Sequence, residues 1–140
     1  MDLQIDDFYK DAAAAMLQLY QAFPRKHALY VEDLIGREPH DEFGLPSSRH
    51  QSCFSALLWL ADEGYLRYES NISYDALDQA VLTEKGFLRL SGAALATDPE
   101  LPSSIGRVQS SLAHQLRLAS REHNSEKIVQ LARLLFEPAK

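Results

Sequence analysis

Only one cysteine occurs in the chain, Cys53, so no disulfide can form within it. That usage fits a reducing cytoplasm and sets aside the small secreted scaffolds that depend on cystine staples. Long apolar runs are missing as well. No apolar stretch is longer than Ala56 to Ala61, far short of the roughly 20 residues that cross a bilayer. The segment Met1-Asp2-Leu3-Gln4-Ile5-Asp6-Asp7 is acidic where a secretion signal is basic and then apolar. The expectation is a cytoplasmic protein with no membrane partner. Basic charge is also scarce: 14 Lys and Arg face 20 Asp and Glu, for a formal net charge of −6. A free-standing nucleic-acid binder carries a basic face that releases counterions from phosphates, so the bulk balance counts against DNA. The shortage is uneven. Residues 1–46 hold 4 basic against 9 acidic side chains, residues 47–95 hold 4 against 6, and residues 96–140 hold 6 against 5. Acidity is concentrated at the front of the chain, which leaves room for a local neutral or basic patch.

What is present is apolar content, 46% of 140 residues, enough for one compact domain or for a core of about 90 residues with an appendage. From Asp6 to Phe23, Phe8, Ala12, Met16, Leu19, Tyr20 and Phe23 fall on one face of a helix. Asp6, Asp7 and Asp11 stand near its start, where the helix dipole favours carboxylates, and Pro24 ends it. His27 to Val31 leans to strand, and Glu32 to Gly36 reads as a helical turn closed by glycine. Arg37 to Pro46, with Pro39, Gly44 and Pro46, is a loop. Ser48 is placed to cap the next helix, with Gln51 reaching back in a capping box and Phe54, Leu57, Leu58 and Ala61 as its buried stripe. Gly64 stops that helix.

Tyr65 to Glu69 alternates as a strand does, Ser70 to Asp75 is a polar connection, and Leu77 to Leu82 is the returning strand. Thr83 then caps a further helix. Asp98 to Ser104 contains Pro99 and Pro102 and breaks the pattern. Beyond it Ile105, Val108, Leu112, Leu116 and Ala119 follow helical spacing, as do Ile128, Leu131, Ala132 and Leu135, with Glu122 to Ser125 as a turn and cap between them. The domain boundaries expected are 1–96 for the core, 97–102 for a linker and 103–140 for a C-terminal helical hairpin.

This order of elements over residues 6–95 resembles a winged helix-turn-helix domain. Ala56-Leu57-Leu58-Trp59-Leu60-Ala61-Asp62-Glu63-Gly64-Tyr65-Leu66 is similar to the end of a recognition helix running into the first wing strand. Leu82-Thr83-Glu84-Lys85-Gly86 resembles the step by which the second wing strand enters the following helix in MarR-like and PadR-like regulators. The fold class implied is mainly α with a small β-ribbon, a winged-helix core plus the C-terminal hairpin. The function implied is a DNA-binding transcriptional regulator acting as a homodimer, with double-stranded DNA as partner and no chemistry of its own. Winged helices also serve as protein-docking modules, so a protein-interaction module without DNA binding is the alternative.

On the first reading the start of the recognition helix enters the major groove and presents Ser48, Arg49, Gln51 and Ser52, with Arg67 from the wing holding a phosphate. The plain reading of the same residues is a solvated helix start. From Glu69 to Gln79 the wing has no Lys or Arg but carries Glu69, Asp75 and Asp78, which disfavours a grip on phosphate. Ile72 and Tyr74 at its tip suit a protein partner if exposed, or fold back onto the core if not. His50 and Cys53, three apart, could share a metal with His40, Asp41 or Glu42, but no paired Cys-x-x-Cys or His-Glu-x-x-His frame accompanies them. Neither a Gly-x-Ser-x-Gly turn nor a phosphate loop occurs. No metal, no cofactor and no enzymatic activity are expected. His114 and His123 stand beside Arg117 and Arg121 in the hairpin, as a phosphate-touching strip or as a solvated face. The apolar side of the hairpin needs a cover, either the first helix of its own core or a second copy of the chain.

Overall fold

A computed structural model describes residues 2–95 and 99–137. The chain is mainly helical with a small antiparallel sheet. Helix α1 spans Leu3–Ala22, β1 His27–Tyr30, α2 Val31–Ile35, α3 Ser48–Asp62, β2 Leu66–Arg67, β3 Ser70–Ile72 and β4 Ala76–Leu82. Then come α4 Glu84–Ser91, α5 Ser103–Ser110, α6 Leu112–Arg121, α7 Ser125–Ala132 and a closing 3-10 turn, Arg133–Leu135.

Strand β4 is the centre of the sheet. It pairs antiparallel with β1 on one side and with β2 and then β3 on the other. The registers Leu66↔Leu82 and Ile72↔Ala76 fix the two ends of the ribbon. Against this sheet lies α1, which also packs on α3, α4, α6 and α7. Its inward residues Ala12, Ala15, Met16 and Leu19 are sealed from solvent and meet Leu57, Leu77, Leu116 and Leu135 in one contiguous core. The C-terminal helices thus bury Leu112, Leu116, Ala119, Leu131 and Ala132 in the same core as the first 95 residues. The chain's own first helix covers the stripe from Leu112 onward, while Ile105 and Val108 at its start lie outside that cover. The expected linker, 97–102, lies partly outside the described residues, as do residue 96 of the first expected domain and the last three residues of the hairpin.

Three local expectations are corrected. The cap of α3 is Ser47, not Ser48: the Ser47 hydroxyl accepts from His50 N–H at 3.0 Å, while Gln51 Nε2 donates to the Pro46 carbonyl instead of closing a capping box. Both serines have the chemistry of a cap; anchors at Arg49 and His50, described below, hold the helix one residue longer. Next, the polar connection contains a strand, β3. Its composition gives no β signal, and its pairing with β4 across the Ser73-Tyr74-Asp75 turn is what extends it. Lastly, the helix expected from Ile105 to Ala119 is broken at Ser111, whose extended backbone and hydroxyl cap α6 at His114 N–H. The break turns α5 so that Gly106 and Ser110 face inward while Ile105 and Val108 stand exposed.

Candidate functional site

The start of α3 is where the sequence places its contacts, and its geometry follows from what α1 offers. Asp11 sits in the third turn of α1 on the face that also carries Ala12 and Ala15, and is 3% exposed. A carboxylate there requires a cation. Arg49 supplies it as a two-pronged pair, Nη1 to Oδ2 at 2.7 Å and Nη2 to Oδ1 at 2.6 Å, with Asp7 at 3.8 Å from its Nε. The Asp11 hydrogen bonds and both carboxylates hold the guanidinium more firmly charged than usual against its partial burial. Arg49 is therefore turned inward onto α1.

Ser48, Gln51 and Ser52 are exposed along the outer side of α3. Arg67, also exposed, pairs with Val81 and makes no ion pair among the described residues. Val81 is five residues along β4 from Ala76, about 17 Å at strand rise, so Arg67 stands at the end of the ribbon away from its tip. The tip lies on the start of α3. There the buried His50 donates from Nε2 to the Tyr74 carbonyl at 2.8 Å, since a carbonyl can only accept. The Asp75 carboxylate is 3.3 Å from the same nitrogen, and the Asp75 carbonyl accepts from Val31 N–H at 2.8 Å. Tyr74 touches Phe54 edge-on yet is 68% exposed, and Ile72 is 36% exposed. The tip's backbone is pinned while its apolar side chains face outward.

Beside Ser48, Gln51 and Ser52 runs a groove of about 680 Å³ between the two helices. Gln4, Ile5 and Phe8 of α1 form one wall; Ser55 and Trp59 complete the other. Its two aromatic lining residues belong to a larger cluster in which the Trp59 ring meets Phe8 edge-on at 5.2 Å and Phe136 at 5.5 Å. Tyr65 closes the cluster from behind, capped by the Lys85 ammonium 4.2 Å above its ring. Trp59 is 40% exposed and Ile5 46%. The groove's lining carries no charged side chain, while exposed carboxylates, Asp2, Asp62 and Glu63, mark the ends of its two helices.

Matched against protein-family models, curated proteins and solved structures, the chain finds no counterpart.

Cys53 and His50 do not converge on a metal. The His50 nitrogen is spent on the ribbon, and among the described residues no group of three His, Cys, Asp or Glu side chains has the geometry to hold an ion. Cys53 is fully buried; desolvation, reinforced by the Asp11 carboxylate, pushes its thiol up to about 12. A thiol reagent at neutral pH is expected to label native protein only as fast as it unfolds, with full rapid labelling in denaturant. Rapid labelling of the native protein would contradict the burial.

Two features of this site escaped the sequence reading. The Asp11–Arg49 link had a signal, a carboxylate on the apolar face of an otherwise regular amphipathic helix. The groove had none, because Trp59 reads equally well as core.

Proposed function

We propose that the chain is a winged-helix-like protein-docking module that receives an amphipathic segment of a partner protein in the groove between α1 and α3. The succession of α1, β1, α2, α3, the β2–β4 ribbon and α4 supports the winged-helix reading. The observation that carries the functional choice is Arg49. With its guanidinium bound to Asp11, the start of α3 offers a partner no free cation, and the adjacent surface is an uncharged groove lined by Ile5, Phe8 and Trp59. The acidic front segment, 9 acidic against 4 basic side chains over residues 1–46, with Asp62 and Glu63 exposed beyond Trp59, favours an apolar stripe flanked by Lys or Arg.

A second reading keeps the DNA-binding regulator. The exposed row Ser48, Gln51 and Ser52 and Arg67, which makes no ion pair among the described residues, support it, since hydroxyl and amide groups read base edges and a guanidinium holds phosphate.

Trp59 is the single tryptophan, so its emission reports occupancy of the groove. Titration with a helical Leu/Lys peptide is expected to shift that emission to the blue saturably. An anionic Leu/Glu peptide of the same stripe should do so at least tenfold more weakly, and Ser55→Arg should abolish the effect. A saturable response to duplex DNA at low salt that Arg67→Glu removes, with none to the cationic peptide, would overturn docking and establish the second reading.

A further inference from the structure

Between Leu101 and Arg121 the chain carries Arg107, Arg117, Arg121 and His114 and not one Asp or Glu, although acidic residues outnumber basic ones over the whole sequence. The fold gathers part of this cationic stretch. Arg107 of α5 and Arg117 of α6 line one cavity of about 370 Å³, with His114 one turn before Arg117 and Tyr20 of α1 facing them. The Ser104 hydroxyl, in the first turn of α5, opens on the same space. Neither guanidinium has an ion pair among the described residues, whereas Arg49 is paired with Asp7 and Asp11.

Arg117 is half-buried and Arg107 exposed, so one guanidinium reaches the cavity from the protein side and the other from its rim. Arg117 Nε is buried and has no hydrogen-bond partner. A buried charged donor left unpaired is costly, and an anion held by the outer N–H groups of the same guanidinium would offset that cost through its charge. Arg117 also borders a second cavity, but the carboxylate there, Asp33, makes no ion pair with it, and the buried Gln18 Oε1 beside it is likewise unpaired. Two guanidiniums on different helices match a tetrahedral oxyanion, each offering paired N–H groups to it. The volume exceeds that of a bare ion and falls in the range of small-ligand pockets.

We infer that the cavity between α5 and α6 binds the phosphate group of a small molecule, held by Arg107 and Arg117 with His114 and Ser104 at its edge. The site is independent of the docking groove: Tyr20 and Ile5 are 15 residues apart on α1, about 22 Å along the helix axis. An effector bound here would contact α1, the helix that also forms one wall of the groove.

The arginine Nε–Hε resonances of the full chain provide the test. Inorganic phosphate is expected to shift those of Arg107 and Arg117 saturably, while sodium chloride at matched ionic strength leaves them in place. Arg107→Gln and Ser104→Asp, both at exposed positions, should each weaken phosphate at least tenfold with an unchanged melting temperature in its absence. Glycerol phosphate binding more tightly than inorganic phosphate assigns the site to an esterified ligand and the opposite order to the free ion; either supports it. Equal shifts with chloride, a uniform unsaturable drift of every arginine, or wild-type phosphate affinity in Arg107→Gln would overturn the site. None of these outcomes bears on peptide binding at Trp59.

Discussion

Arg49→Met is expected to lower the unfolding free energy by about 3 kcal/mol, the cost of leaving a buried charge without its partner. The Asp11 side chain is only 4% exposed and cannot reach water, so it keeps its desolvation penalty once the guanidinium is gone. Asp11→Asn should be milder, about 1 kcal/mol, for two reasons. The Arg49 side chain is 30% exposed and can lean outward, and Asp7 stands 3.8 Å from it to take part of the charge. Urea unfolding followed by circular dichroism measures both. A loss below about 0.5 kcal/mol for Arg49→Met would show that the pair is a surface contact, and equal losses in the two variants would show that Arg49 is as confined as Asp11.

This asymmetry decides how DNA binding has to be probed. An Arg49→Glu change would place a third carboxylate beside Asp7 and Asp11, so loss of DNA affinity in that variant would report loss of structure. Arg67, exposed on β2 and without an ion pair among the described residues, is the clean position. A charge reversal there changes a phosphate contact with a stability effect within about 0.5 kcal/mol.

The elements were legible in the sequence wherever one local signal sufficed. Periodicity marked α1, the turn and cap expected within Glu122 to Ser125 fall there, with Asn124 as the capping residue of α7, and Gly64, at φ +82°, stopped α3 as its position implied. Pairing that depends on a distant segment was not legible. Ser70–Ile72 is a strand only because β4 lies beside it, and Ser111 breaks a helical stripe because the chain at Gly92 to Ala94 comes across to bond with Ser110 and Leu112. The candidate site divides the same way. Exposure of Ser48, Gln51 and Ser52 followed from helical phase, but the inward turn of Arg49 depended on a carboxylate 38 positions earlier in the chain. Charge counting along the sequence registered Arg49 as available and Asp11 as a helix-dipole partner. The two cancel each other, a fact visible only once α1 and α3 are packed together.

Gly86→Ala is expected to be at least as damaging as Arg49→Met, although helix propensity alone would favour alanine by about 1 kcal/mol. Gly86 is buried in the first turn of α4, where a Cβ would run into the Tyr65 carbonyl oxygen and lie 3.2 Å from Met16 Cε. The methionine end can give way; the carbonyl cannot. It accepts from Thr83 N–H at 3.2 Å, while the Tyr65 amide is bonded to the Leu60 carbonyl at 2.8 Å. Thr83 tightens the same corner, its hydroxyl donating to the Gly64 carbonyl at 2.6 Å and accepting from Gly86 N–H at 3.1 Å. Relief of the clash means moving α4 away from the Gly64–Tyr65 turn and breaking these bonds together. A loss of about 3 kcal/mol or more follows from such overpacking against fixed backbone, or a fall of roughly 10 °C in melting temperature. Leu88→Ala, on the exposed side of the same helix, is the control and should melt near wild type. If Gly86→Ala melted with it, the glycine in Leu82-Thr83-Glu84-Lys85-Gly86 would have no role in the close approach of α4 to the ribbon, and the corner that joins the two would have to be held some other way.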